Sequence, residues 1–186
     1  MCVCVKTTSH TILTDTTRTL THIMPLHFEV SSPLSVRESQ LLRTLKREYT
    51  PAIARDVLLP LLSQKAAVSL RVLDWAVVNW SRQHNVIATS PTGQRVNVHH
   101  SYRVALAHWR RKLFDPFRRR LRIGVHIDGE VHETTLGQAN FVLFAYRTGV
   151  LAYVLGHAAE IEADMNLVAQ RQKRKRKHAR ASGITH

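Results

Sequence analysis

The chain has 186 residues, 44% of them hydrophobic, which is enough for one ordinary core with tails and too little for two full-sized domains. Lys and Arg number 27 against 13 Asp and Glu, a net charge of +14 and a pI near 10.9, so the fold repels itself unless an anionic partner relieves it. No run approaches the ~18–20 uninterrupted apolar residues of a membrane span and the N-terminus lacks the basic-then-apolar order of a secretory signal, so cytoplasm or nucleus is the expected location.

Cys2 and Cys4 are the only cysteines, which excludes a disulfide framework and a four-cysteine zinc site. A Cys-x-Cys hook completed by His10 or His22 has the right ligand types, but such sites rarely begin so near a terminus. Residues 1–34 are rich in Thr and Ser, keep no period and include Pro25 and Pro33; they read as a disordered leader with little apolar surface to offset ordering entropy.

From Ser35 the spacing turns helical, with Val36, Leu41, Leu42 and Leu45 near the 3.6-residue period. Pro51 opens a second helix through Leu59, and Pro60 is expected to interrupt it. Between Ser69 and His84, Leu70, Leu73, Ala76, Val77 and Trp80 share one face while Val72, Trp75 and Val78 make the others apolar, which predicts a core helix. Asp74 and Asn79 inside it are a candidate functional pair, with capping or internal hydrogen bonding the commoner explanation. Ser90-Pro-Thr-Gly93 predicts a turn joining short strands at 86–88 and 95–98. A helix from His99 to Leu113 follows, carrying Tyr102, Leu106, Trp109 and Leu113 on one stripe and ending at Asp115-Pro116.

The clearest strand signal is next: Leu121, Ile123, Val125 and Ile127 alternate with Arg120, Arg122, Gly124 and His126, and Asp128-Gly129 supplies a hairpin turn into Glu130–Thr134. Thr135-Leu-Gly-Gln138 fits a capping box for a helix to Arg147. A further helix runs from Val150 past Asn166, with Gly156 as a break point, and apolar residues nearly vanish after Gln170.

The excess charge lies in two places. Arg103, Arg110, Arg111, Lys112, Arg118, Arg119, Arg120 and Arg122 face a single acid, Asp115, a net of +7. From Arg171 onward seven cations, including Lys173, Arg174, Lys175, Arg176 and Lys177 in a row, meet no acid, another +7, so the rest of the chain is balanced. Strand periodicity places Arg118, Arg120 and Arg122 on one side of the hairpin, away from the core, where guanidinium forks match phosphate oxygens. A solvated face paired with Glu130, Glu133, Glu160 or Glu162 is the bland alternative, made less favoured by the shortage of acids in the stretch itself. The tail run fits a nucleic-acid tether or a nuclear import signal. Tyr102 and Trp109 are expected in the core, with Phe114 and Phe117 secondary candidates for base stacking.

No phosphate-binding glycine loop, dinucleotide fingerprint or Gly-x-Ser-x-Gly elbow is present. The histidines His99-His100 with His108, and His126 with His132, invite a metal reading, but a two-residue turn at Asp128-Gly129 puts His126 and His132 on opposite faces. Glu160, Glu162 and Asp164 read as a solvated acidic helix face rather than as ligands.

Three segments resemble a family of nucleocytoplasmic large DNA viruses: residues 70–86 (LRVLDWAVVNWSRQHNV), residues 102–123 around FDPFRRR, and residues 134–166 beginning TTLGQANF. The resemblance covers about residues 65–170 and implies a viral origin without implying a reaction. Family members carry Leu-Asn-Phe-Phe where this chain has Ala139-Asn-Phe-Val142, and a cysteine where it has Arg118, a departure that argues against a metal role there.

The expected fold is therefore α+β, a predominantly helical single domain at 35–170 with a small antiparallel hairpin, between the leader and a disordered basic tail at 171–186. The expected function is non-enzymatic binding of DNA or RNA through the Arg-rich helix and hairpin and through the tail, with no cofactor, no metal and no membrane partner. The alternative is a virion structural or host-interaction protein docking acidic proteins, viral ones included.

Overall fold

A computed structural model describes residues 26–117, 119 and 121–181, with side chains as far as His178, and its first element falls inside the expected leader. Strand β1 (Phe28–Val30) pairs antiparallel with β4 (Arg122–Ile127), which also pairs with β5 (Glu130–Thr135), giving sheet order β1-β4-β5. Leu26 and Phe28 are buried, so the last part of residues 1–34 belongs to the core. Three residues are too few to carry a period, and the strand exists because β4 offers an edge. The first 25 residues of the expected leader lie outside the described residues.

Helix α1 (Val36–Glu48) starts with the reciprocal capping box that Ser35 and Glu38 encode, the Glu38 carboxylate accepting from both the Ser35 amide (2.9 Å) and its hydroxyl (2.6 Å). These bonds, with Lys112 close by, hold the Glu38 carboxyl below its usual range. Helix α2 (residues 51–62) does not stop at Pro60. Its turn Ala54–Leu58 widens so that the Leu59 amide reaches the Ala54 carbonyl, which makes room for a ring that would clash in a regular helix. Helix α3 (residues 70–84) contains a similar wide turn at Ala76–Trp80, and the Ser81 hydroxyl donates to the Val77 carbonyl (2.6 Å).

Strands β2 (Ile87–Thr89) and β3 (Arg95–Asn97) form the expected second hairpin, and α4 (Val98–Trp109) follows, opened by Asn97, whose side chain accepts from the His100 amide (2.9 Å). It ends earlier than expected: Arg110 adopts φ +59° and ψ 163°, and a single tight turn, Arg111–Leu113, replaces the last helical residues. Both residues of the β4–β5 turn, Asp128 and Gly129, have positive φ, the geometry that suits the twist of a two-residue hairpin. His126 faces Val131 and His132 faces Val125, so the two imidazoles lie on opposite faces as the alternation predicts.

Helix α5 (Leu136–Arg147) is the centre of the molecule, with nine of its residues buried. It touches α1, the wide turn of α2, the Arg111–Leu113 turn and β5. Tyr49 crosses from the end of α1 to donate to the Ala139 carbonyl (2.9 Å), and burial raises its phenol above the usual range. At its N-terminus Thr135 accepts from the Gln138 amide (3.1 Å) as expected, but the Gln138 side chain does not reach back to close the box; it donates to the Pro116 carbonyl and accepts from Thr134, each at 2.9 Å. Gly149 ends the helix at φ +75°, pressed against β2 so closely that a Cβ there would lie 1.9 Å from the Thr89 carbonyl oxygen.

Helix α6 (Val150–Gly156) breaks at the expected glycine, and α7 (Ala158–Ala181) continues as one helix into the segment expected to be a disordered tail. Ile161 and Met165 bury its first half, and Trp75 of α3 donates to Asp164 (2.9 Å), so Asp164 serves the α3–α7 contact rather than a solvated acidic face. The architecture is thus a mostly helical α+β domain with two small antiparallel sheets. Among the described residues no single helix is long and apolar enough to cross a membrane.

Candidate nucleic-acid interface

The cations of the central basic stretch do not share one environment. Arg103 lies exposed in the first half of α4, while Arg110 and Arg111 are exposed where the helix breaks. Lys112 turns to Glu38 on α1 (3.1 Å), Arg119 packs over the Phe117 ring (5.0 Å) and pairs with Asp115 (3.5 Å), and Arg122 pairs with Glu133 across the hairpin. Three of the expected phosphate ligands therefore have carboxylate partners: Asp115 within the stretch, Glu133 as in the paired-face alternative, and Glu38 from a distant helix that a local charge count does not see.

Of the three arginines expected to line one face of the hairpin, only Arg122 falls within the described residues. Strand β4 begins only at Arg122; before it, the Arg119 amide bonds back to the Phe117 carbonyl (2.9 Å) and the Phe117 amide to the Asp115 side chain (3.1 Å). Arg118 and Arg120 lie outside the described residues. Phe114 is core, edge-on to Phe141 and Phe144, and Tyr102 and Trp109 are half-buried against that core.

Two polar concavities flank α4. The first, about 160 Å³, is lined by Asp74, Tyr102, Arg111, Asp115, Phe117 and Arg119 with apolar neighbours, and all three segments that carry the viral resemblance meet there. Asp74 is pushed up to about 6 by burial and by the Asp115 carboxylate, against the pull of Arg119 and Arg111. Ligand pockets usually measure at least ~300 Å³, so this concavity is small for a ligand site.

The second concavity, about 480 Å³, opens at the start of α4 between Ser81, Arg82, Asn85, Asn97, His99, His100 and Arg103, with no carboxylate in its lining. Asn97 spans its floor, donating to Asn85 (2.9 Å) while capping the helix. The His99 Nδ1 atom is buried without a hydrogen-bond partner, and burial together with Arg103 and Arg82 holds that imidazole below its usual range. Two guanidiniums and a helix N-terminus form a local excess of positive potential suited to a phosphate group, with two imidazoles beside them. Of this group only Arg103 is among the phosphate ligands expected from the sequence. The readable signal for the rest was Asn85 and Asn97 flanking a hairpin whose ends must meet.

The tail cations stand apart from both pockets. From Ala169 to His178 every residue of α7 is exposed, and Arg171 and Lys173, Arg174, Lys175, Arg176 and Lys177 are spread around the helix with no acid among them.

This chain belongs to a family of unknown function, DUF7197, whose model matches residues 29–186. A curated relative, "Uncharacterized protein L507" of Acanthamoeba polyphaga mimivirus, is 28% identical over 159 residues, covering 80% of this chain and 61% of the relative. The chain thus spans about three fifths of that relative's length, and the expected kinship with proteins of large DNA viruses is met. No solved structure matches the chain.

Proposed function

We propose that this is a non-enzymatic nucleic-acid-binding protein that grips the phosphate backbone through the second half of α7 and through the basic concavity at the start of α4. The observation that carries the reading is the exposed, acid-free end of α7. Its cations include five like-charge pairs three or four residues apart, each disfavouring the helix by roughly 0.2–0.5 kcal/mol in isolation. A polyanion along the helix turns that repulsion into attraction and releases counterions. Arg103 and Arg110 add exposed cations on the domain, whereas Lys112, Arg119 and Arg122 contribute less because they are already paired and Arg111 faces the Asp74 carboxylate.

Mobility-shift titrations with duplex DNA and RNA over a salt series test it. Affinity should fall steeply with salt, and replacing Lys173, Arg174, Lys175, Arg176 and Lys177 by Gln should flatten the log–log slope on DNA by about 4–5, near 0.9 per phosphate contact. Negligible binding of the unmodified chain at low salt overturns the proposal.

One observation favours a second reading, the docking of a protein partner in the virion or host. A groove of about 440 Å³ between α4 and α5 is lined by Val104, Trp109, Leu143 and Phe144 with Arg147 and His108 at hand. Cross-linking in purified particles that recovers protein contacts at this groove and no nucleic acid would favour it.

A further inference from the structure

On the solvent face of the three-stranded sheet, His27, Glu29 and His126 bring their donor atoms within 4.8 Å of one another. His27 and Glu29 stand two residues apart, on the same side of the β1 segment, and His126 lies across from them on β4, its backbone amide bonded to the His27 carbonyl (3.0 Å). The ring centroids of His27 and His126 are 4.7 Å apart at 68°, and His126 Nε2 lies 2.8 Å from the Glu29 Oε1 atom.

The fourth corner of this square is Gly124, the partner of Glu29 in the register. A Cβ at Gly124 would meet the Glu29 carboxylate at 3.3 Å and Val131 at 2.9 Å, so the glycine leaves the space through which Glu29 leans diagonally toward His126. Nothing local announces the cluster: His27 and Glu29 fall in the segment that reads as a disordered leader, and the alternation of the hairpin sets His126 only against His132.

We propose that His27, Glu29 and His126 form a binding site for a divalent transition-metal ion, zinc foremost. Two imidazoles and one carboxylate are a donor set that zinc accepts in sites with an open position, and the borderline softness of imidazole disfavours calcium and magnesium. An ion with bonds of ~2.1 Å in tetrahedral geometry needs donors about 3.4 Å apart. The His126–Glu29 contact must open slightly and the longer separations close by about 1–1.5 Å, within reach of rotamer changes in half-exposed side chains. The ion takes the place of the direct His126–Glu29 contact. Three protein donors leave at least one position facing solvent. The site is independent of the nucleic-acid reading, since none of its residues belongs to that interface.

The unmodified full-length chain and a Cys2→Ser/Cys4→Ser version, which removes competing thiolates, are titrated with Zn²⁺ and with Co²⁺ by calorimetry and histidine-detected NMR. Both should take up one equivalent at this site, with Co²⁺ broadening the His27 and His126 ring signals first. His27→Ala, Glu29→Gln and His126→Ala, at exposed or half-exposed positions, should each raise Kd about tenfold or more, with circular dichroism confirming the fold. His132→Ala, on the opposite face of the same hairpin, should leave Kd unchanged. The proposal is overturned if neither protein binds saturably, if the three substitutions each move Kd less than about threefold, or if His132→Ala weakens binding as much as they do.

Discussion

Asp74→Asn should make the protein more stable at neutral pH. Asp74 is a partly buried carboxyl pushed up to about 6 from the ordinary aspartate value of 3.8, first by burial and then by Asp115. At ~1.4 kcal/mol per pH unit of displacement, ionising it in the fold rather than in the unfolded chain costs about 3 kcal/mol, and solvent access reduces this to about 1–2 kcal/mol. Below pH 3.8 the group is protonated in both states and the cost is absent. As pH rises the unfolded chain releases the proton first, stability falls until the folded group also ionises near 6, and the penalty is then constant. Asparagine keeps the shape without the charge, so the variant's advantage should be full above about pH 6.5 and vanish below about pH 4. Urea unfolding followed by tryptophan fluorescence, for which neighbouring Trp75 is a reporter, measures the difference at each pH. Equal stability at pH 7.5, or an advantage that grows on acidification, would refute the account of Asp74 as a charge held against its preference.

Arg110→Gly should stabilise by about 0.5–1 kcal/mol, because relief of the left-handed backbone at φ +59° outweighs the added entropy of glycine, and Arg110→Ala should show no such gain in thermal unfolding. Gly149→Ala should cost at least about 2 kcal/mol and lower Tm by several degrees, since its methyl would collide with the Thr89 carbonyl at 1.9 Å; an unchanged Tm would mean that β2 does not pack there. Inorganic phosphate should raise the pKa of His99 in an NMR titration by supplying the anion that Arg82 and Arg103 now lack, and a titration curve indifferent to phosphate would remove the α4 concavity from the interface.

Elements with a strong local signal were legible in the sequence: the β4–β5 hairpin from its alternation and Asp128-Gly129, α1 from the Ser35–Glu38 box, and the break at Gly156. What escaped depends on partners far along the chain. Strand β1 is too short to announce itself without β4, the Pro60 ring is absorbed by a wide turn upstream, and Gln138 leaves its own helix start for a carbonyl 22 residues away. The same reason explains the candidate interface. The charge of residues 103–122 was readable, and so was Glu133 as a possible partner, but the reach of Lys112 to Glu38 is a tertiary fact, and so is the meeting of Arg82 with Arg103.

Helix α7 is held at one end and bare at the other. Met165 grips the domain, and at 1.5 Å per residue Lys177 stands roughly 18 Å further along the same rod. A limp arm would let the domain tumble freely over whatever it held, whereas a stiff one transmits torque. A bound strand would then fix which side of the domain looks outward, and successive copies along that strand would all present the same face.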